Sequence, residues 1–550
     1  MSAPGHDRFR LPPFHLDDDA LSWVAASLSR LTPEDQIRQL LIHEGTPSAG
    51  SGGAFIRCRA AAAELRARTA AVHALPGIPI LTAADLEFTA HGRITDGTDH
   101  PCQMAVGAAG ERELARRMGT IAGTEGLAAG IDWTFAPVAD LALNHRSPSV
   151  NLRSFGADAA RAAELVAAYV EGVQETGMAA TLKHWPGDGL DERDQHFTTA
   201  RNPLTVSEWR SSFGAVFAAG IRAGAKAVMS AHISFPAYAL ENGKTGTDAH
   251  LPASLSALLN IDLLRGELGF GGLIVTDALV MGGASSRLAW ADLAPAAVGA
   301  GCDMVLFPPP DEESVAYFKR AIERGTLSRK RVEEAAARVL AFKASLGLHH
   351  GDAEKAMKSQ AVARSSKAAE RNAWARECAE RSITLVKDTQ RLLPLSAERT
   401  PRVLLFVSRP TEFIAAQRPF ILDSILEEKG FETTVYREGT VVDRDLFDLL
   451  IYVVEEQPVF VAESLLIKWR RFGANHQATM RRYWRDFPTL FISLGSPFHA
   501  FELPACRTII NAYSSAEPSQ RAVADALVGA LPFRGVSPVD PFCGSADESE

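Results

Sequence analysis

The sequence predicts an α/β protein: an N-terminal TIM-like (β/α)8 barrel followed by a smaller C-terminal α/β sandwich domain. Three observations lead there. Over the first 350 residues, short apolar runs alternate with longer Ala/Leu/Arg-rich helical stretches, the rhythm of a parallel sheet. Polar residues able to do chemistry recur at the carboxyl ends of those runs. A second set of apolar runs follows a Lys/Ala/Arg/Ser-rich interval. A chain of 550 residues also exceeds one ordinary domain.

In order, the expected strands of the first region are residues 39–43, 78–83, 134–138, 181–184, 227–231, 273–276 and 304–307. Each is nearly continuous in apolar residues, as a strand covered on both faces requires. Helical stretches lie between them, among them 159–177, 206–223 and 254–268. Seven clear runs and one unclear one suggest a closed barrel of eight strands, although pattern alone also permits an open doubly wound sheet. We expect a barrel over residues 1–346, a helical linker over 347–378 and an α/β domain over 379–550. Strands of the last are expected at 382–387, 403–407, 449–454, 489–494 and 508–512, with a helix at 520–531 and a frayed acidic end at 546–550.

Hydrophobic residues make up 46% of the chain, enough for a core of this size without disulfide or metal staples. The net charge of -9 argues against a nucleic-acid partner. The basic clusters Arg329-Lys330-Arg331 and Arg481-Arg482 fit solvated helix faces. None of the six cysteines forms a CxxC pair or a zinc-type spacing with histidine. Scattered thiols, no apolar leader at the start and no run of the roughly 18 residues needed to span a bilayer lead us to expect a soluble, cytoplasmic protein. The oligomeric state stays open.

Strand-end chemistry is the informative part. Asp85 and Glu87, Asp140, Lys183-His184, His232 and Asp277 each follow an apolar run. A core strand gains nothing from a charge at its tip, and parallel barrels build their active sites at that face. The densest stretch is Lys183-His184-Trp185-Pro186-Gly187-Asp188-Gly189, followed by Asp194-Gln195-His196. Its proline and glycines force an irregular loop. Asp194 and His196, two residues apart, can hydrogen-bond if that loop bends, which sets the imidazole tautomer. Asp277 closes the run Leu273-Ile274-Val275-Thr276. A lone acid there is a common turn former; it gains meaning because it faces the same barrel mouth. Trp133, Phe155, Trp185 and Phe235 offer rings that either stack on a sugar or fill the core.

These motifs, in this order, resemble family 3 glycoside hydrolases in their β-N-acetylhexosaminidase branch. That branch carries a K-H-F-P-G-H-G-x(4)-D-S-H pattern, standing here as KHWPGDGLDERDQH, and a strand ending S-D-D-L-S-M, matched by Thr276-Asp277-Ala278-Leu279-Val280-Met281. Further matches are Phe135-Ala136-Pro137-Val138-Ala139-Asp140, Arg153-Ser154-Phe155-Gly156, Val228-Met229-Ser230-Ala231-His232, Pro252-Ala253-Ser254-Leu255-Ser256 and Ala300-Gly301-Cys302-Asp303-Met304. The resemblance covers roughly residues 35–345 and continues into Ser382-Ile383-Thr384-Leu385-Val386-Lys387 and Leu393-Pro394-Leu395.

The resemblance implies a retaining exo-β-N-acetylglucosaminidase acting on small carbohydrates, with cell-wall fragment recycling as one setting. It implies no metal and no organic cofactor. Asp277 would be the nucleophile and His196 the general acid/base, polarised by Asp194. Asp85, Arg153, Lys183 and His184 would hold the nonreducing-end sugar, with His232 lining the same mouth. Lys183 or Arg153 would keep Asp277 ionised. Most retaining enzymes pair two carboxyl groups; an imidazole donor is an exception that suits proton exchange near neutrality. Other outcomes left open are a β-glucosidase, transfer to phosphate instead of water, and a sugar-binding protein without turnover. Three departures from the pattern stand out: Asp188 in place of the middle histidine of G-H-G, an altered segment from Asp85 to Arg93 where the branch has D-x-E-G-G-R, and D-Q-H for D-S-H.

Overall fold

The computed structural model describes residues 6–350, 367–409, 418–456, 466–473 and 476–545. The chain divides into two compact units, one made of Met1–Thr98, Ala115–Leu141 and Ala162–Ala368, the other of Asp99–Leu114, Ala142–Arg161 and Ala369–Glu550. Two stretches that precede residue 346 therefore go with the second unit. Of the segment 347–378, residues 351–366 lie outside the described residues, as does the 546–550 end; before that gap stands a 3-10 turn, Leu348–His350, and after it helix Ala368–Ser382.

The first unit holds β1 Leu41–Glu44, β2 Gly53–Phe55, β3 Leu81–Ala84, β4 Trp133–Thr134, β5 Thr181–Trp185, β6 Ala200–Arg201, β7 Ala227–Ser230, β8 Ile233–Ser234, β9 Leu273–Ala278 and β10 Met304–Leu306. Eight of them form one sheet in the order β4-β3-β2-β1-β10-β9-β7-β5, with every named pairing parallel. The two ends of that order approach each other: Trp133 bridges Ala179 and Val138 bridges Lys183, both parallel. The result is a nearly closed eight-stranded barrel. β6 and β8 pair separately beside it.

The strand that sequence left unclear is β2. Gly-Ala-Phe is too short and too small to read as a strand, yet all three residues are buried. Other differences have local causes. The expected strand at 134–138 shortens to β4, since Pro137 has no N–H to give to a ladder. The helix expected at 206–223 breaks at Ser212, where φ is -117° and ψ -101°. The stretch 254–268 becomes a 3-10 turn, Ala253–Leu255, followed by a π-helix, Leu258–Glu267.

One buried acid fastens the amino-terminal side of β9 and β10. Asp303 takes Arg265 at 2.7 Å and the Ile274 N–H at 2.9 Å on one oxygen, and Arg331 and Arg338, each at 2.8 Å, on the other. Burial alone would raise its pKa; the three guanidiniums outweigh burial and hold it far below the usual carboxylate range.

The second unit carries β11 Thr384–Asp388, β12 Arg402–Ser408, β13 Glu432–Val435, β14 Leu449–Val454, β15 Thr489–Ser493 and β16 Thr508–Asn511. Their order is β11-β16-β15-β14-β12-β13, with only the β11–β16 pair antiparallel. Alternate residues bury on opposite faces. Val403, Leu405, Ile451 and Ile492 join one apolar cluster; Leu404, Phe406, Tyr452 and Phe491 join the other. That is the period-2 pattern of a sheet sandwiched between two layers. β13, the edge strand, was not expected, because its residues stay largely exposed and carry no apolar run.

Candidate active site at the mouth of the barrel

β5 ends in Lys183-His184-Trp185, and its side chains meet acids from neighbouring strand ends. Lys183 is buried; its Nζ donates to Asp85 Oδ1 at 2.9 Å and also pairs with Glu87. The other oxygen of Asp85 takes Arg93 at 3.2 Å. The altered segment between Asp85 and Arg93 thus still returns its arginine to the strand-end acid. Asp85 is fixed from both sides, which is how a carboxylate is held ready to orient a hydroxyl group.

His184 Nδ1–H donates to Asp140 Oδ2 at 2.6 Å, and the His184 N–H reaches Asp140 Oδ1 at 3.0 Å. The same oxygen accepts from the Asp188 N–H at 2.8 Å. One buried carboxylate therefore sets the His184 tautomer, with the proton on Nδ1, and anchors the Pro186–Gly189 turn. Asp188, the departure inside the motif, is buried and caps the Gly189 N–H at 2.7 Å.

The Asp194–His196 bend forms. His196 Nδ1–H donates to Asp194 Oδ1 at 2.6 Å, and the His196 N–H donates to the same oxygen at 2.9 Å. The carboxylate can only accept, so Nε2 is the nitrogen left for proton exchange. This loop is pinned to the strand-end segment beyond Asp277. Gly282 N donates to the His196 carbonyl at 2.7 Å, and Gly283 N to that of Gln195 at 3.1 Å. A Cβ on Gly282 would stand 2.2 Å from the Phe197 carbonyl oxygen; one on Gly283 would stand 2.6 Å from the Gln195 carbonyl oxygen. Only glycines allow this approach.

Asp277 is the partly exposed residue of β9, with Ala278 N donating to its Oδ1 at 2.8 Å. Burial pushes its carboxyl up. The electrostatic influence of the His184, His232 and His196 imidazoles and the Ala278 N–H outweighs that, and its pKa lies below the ordinary value. The imidazoles take the part expected of Lys183 or Arg153, because the Lys183 ammonium is spent on Asp85 and Glu87. His232 is fully buried, and burial lowers its pKa. Its Nε2–H donates to the Ala278 carbonyl and its Nδ1 accepts from Ser254 Oγ, both at 2.9 Å. It braces the strand end that carries Asp277 and offers no ring nitrogen to a ligand.

Asp85, Lys183, His184, Asp194, His196, His232 and Asp277 all belong to the barrel unit. Arg153 belongs to the second unit, where its guanidinium donates to the Ser149 carbonyl at 2.7 Å. Trp185 packs edge-on against Trp209 and Phe217, and Trp133, Phe155 and Phe235 are equally buried, so all four rings are core. Asp140, Glu87 and Gln195 were missed as site residues. The first two were visible as strand-end acids; Gln195, which accepts the His232 N–H at 3.0 Å, carried no signal.

An Asp–His pair whose imidazole acts electrostatically on an ionised strand-end acid suits acid/base-assisted displacement at a sugar carbon. Comparison with known proteins agrees. Residues 29–342 match the glycosyl hydrolase family 3 N-terminal domain. A beta-N-acetylglucosaminidase/beta-glucosidase of Cellulomonas fimi is 37% identical over 97% of this chain and 98% of its own length. The solved structure of a beta-glucoside phosphorylase, BglX, superposes with a TM-score of 0.91 at 30% identity, over 99% of this chain and 100% of that one. A family 3 beta-N-acetylglucosaminidase from Paenibacillus sp. FPU-7 gives 0.77 at 26% identity, over 93% and 99%. The chain belongs to glycoside hydrolase family 3.

Proposed function

We propose that this glycoside hydrolase is a retaining, exo-acting β-N-acetylglucosaminidase that works through a covalent glycosyl-enzyme. The observation that carries this is the Asp194–His196 pair, bonded through Gly282 and Gly283 to the strand end that bears Asp277. Asp277 attacks the anomeric carbon as His196 Nε2–H protonates the departing glycosidic oxygen. His196, now neutral, then takes a proton from the water that attacks the glycosyl ester, and Asp277 leaves as carboxylate. Asp194 stabilises the imidazolium before donation. Asp85 and His184, each fixed by charged partners, orient the sugar hydroxyls. A full-length relative named in part for the same activity supports the substrate.

A second acceptor has specific support. A neutral imidazole base does not repel an anion as a carboxylate would, and a full-length solved relative is named a phosphorylase. A panel of nitrophenyl glycosides assayed with and without phosphate separates the outcomes. Release from the N-acetylglucosaminide without phosphate is expected. Preference for the glucoside assigns a β-glucosidase; a phosphate-dependent rate with sugar 1-phosphate as product assigns transfer to phosphate. No release from any member overturns the enzymatic reading.

A further inference from the structure

Apart from the residues above, two elements far apart in sequence bring a different set of donors together. Helix Asp18–Arg30 begins on Asp17, whose carboxylate caps the Ala20 N–H at 2.9 Å. Helix Arg329–Ser345 packs against it and leads into the 3-10 turn Leu348–His350. One donor atom each from Asp19, His349 and His350 lie within 4.8 Å of one another. The two imidazole rings sit 3.7 Å apart, and His349 also rests on Trp23 at 5.9 Å. Among the described residues, no other group of His, Cys, Asp and Glu brings three donors this close.

We propose that Asp19, His349 and His350 form a site for a borderline-soft divalent cation, zinc foremost, that clips the first long helix to the chain leaving the last barrel helix. Two imidazoles and one carboxylate are the donor types zinc takes, with water as fourth ligand. Zinc needs its donors about 3.4 Å apart, which rotation of the exposed Asp19 and His350 side chains supplies. Calcium and magnesium prefer oxygen ligands and gain nothing from two imidazoles. A bond between residues 19 and 349 closes a very long loop, so the bound ion favours the folded chain by mass action. The role is structural and independent of the catalytic residues.

The test uses the full chain, stripped with EDTA. Titration with zinc chloride should show one bound equivalent and a raised melting temperature. Cobalt(II) chloride should give the visible spectrum of a low-coordinate nitrogen/oxygen site, while magnesium chloride leaves the melt unchanged. Asp19→Ala and His350→Ala should each weaken zinc binding about tenfold or more, with turnover of the metal-free variants unchanged. Absence of saturable zinc binding overturns the proposal. So does binding of equal strength in both variants, which places the ion elsewhere.

Discussion

Asp277 sits where burial opposes its charge, and three imidazoles keep it ionised. Turnover therefore should vanish in Asp277→Ala. His196→Ala should cost about 10²–10⁴ in rate on glycosides with poor leaving groups and much less on nitrophenyl glycosides, whose departing oxygen needs little protonation. Equal loss on both substrate types would contradict the acid role. The pH profile tests the electrostatics separately. Activity falls as pH drops through the Asp277 pKa, which His184 helps depress. His184→Asn removes that influence, so desolvation counts for more and the acid limb of kcat/KM should move to higher pH. A limb that stays in place would show that His184 does not act on Asp277. The placement of Asp277 at a strand tip and the Asp194–His196 hydrogen bond were legible from the apolar run and the two-residue spacing; the roles assigned to these residues come from the family resemblance. The bracing role of His232 was not, since the groups that occupy its two nitrogens, Ser254 and Ala278, come from segments 22 and 46 residues away.

The reactive geometry depends on how one loop rests on another. The His196 loop has little regular structure of its own; Gly282 and Gly283 hold it through backbone bonds made at close range. Gly283→Ala places a Cβ against the Gln195 carbonyl and His232, so the loop must retreat. The expected result is a fall in kcat of about 10²-fold, the usual cost of misplacing a catalytic group by an ångström. The melting temperature should change far less. Steady-state kinetics beside a thermal melt check this; a variant with unchanged kcat would show that the loop is held by other means. Most barrel strands were readable from their apolar runs. β2 was not, because Gly53-Ala54-Phe55 is only three residues long and owes its place to β1 and β3, which flank it within the sheet.

At the scale of the whole barrel unit, the fold tolerates a buried lysine at the pole opposite the site. Lys343 is fully buried, bonds Gln39 Oε1 at 2.6 Å, and burial lowers its pKa from 10.5 to about 7. Between those values the unfolded chain binds a proton that the folded chain does not, so stability rises with pH across about 7 to 10.5. One such group contributes a slope of up to about 1.4 kcal/mol per pH unit. Lys343→Met should remove that slope, measured by denaturant unfolding at several pH values, and should be more stable than the parent at neutral pH. An unchanged slope would mean that Lys343 stays charged when buried.

Local order in the sequence was enough for the alternation of strands and helices, the two α/β regions and the residues placed at strand tips, because these follow from neighbours in the chain and from side-chain type. Contact between distant segments decided the rest: near-closure of the sheet between β4 and β5, the grouping of residues 99–114 and 142–161 with the second unit, Asp140 beneath His184, and the imidazoles that keep Asp277 charged. Hydrogen bonds and charges act through space at a few ångströms, and no pattern along the chain records which distant partner will stand there.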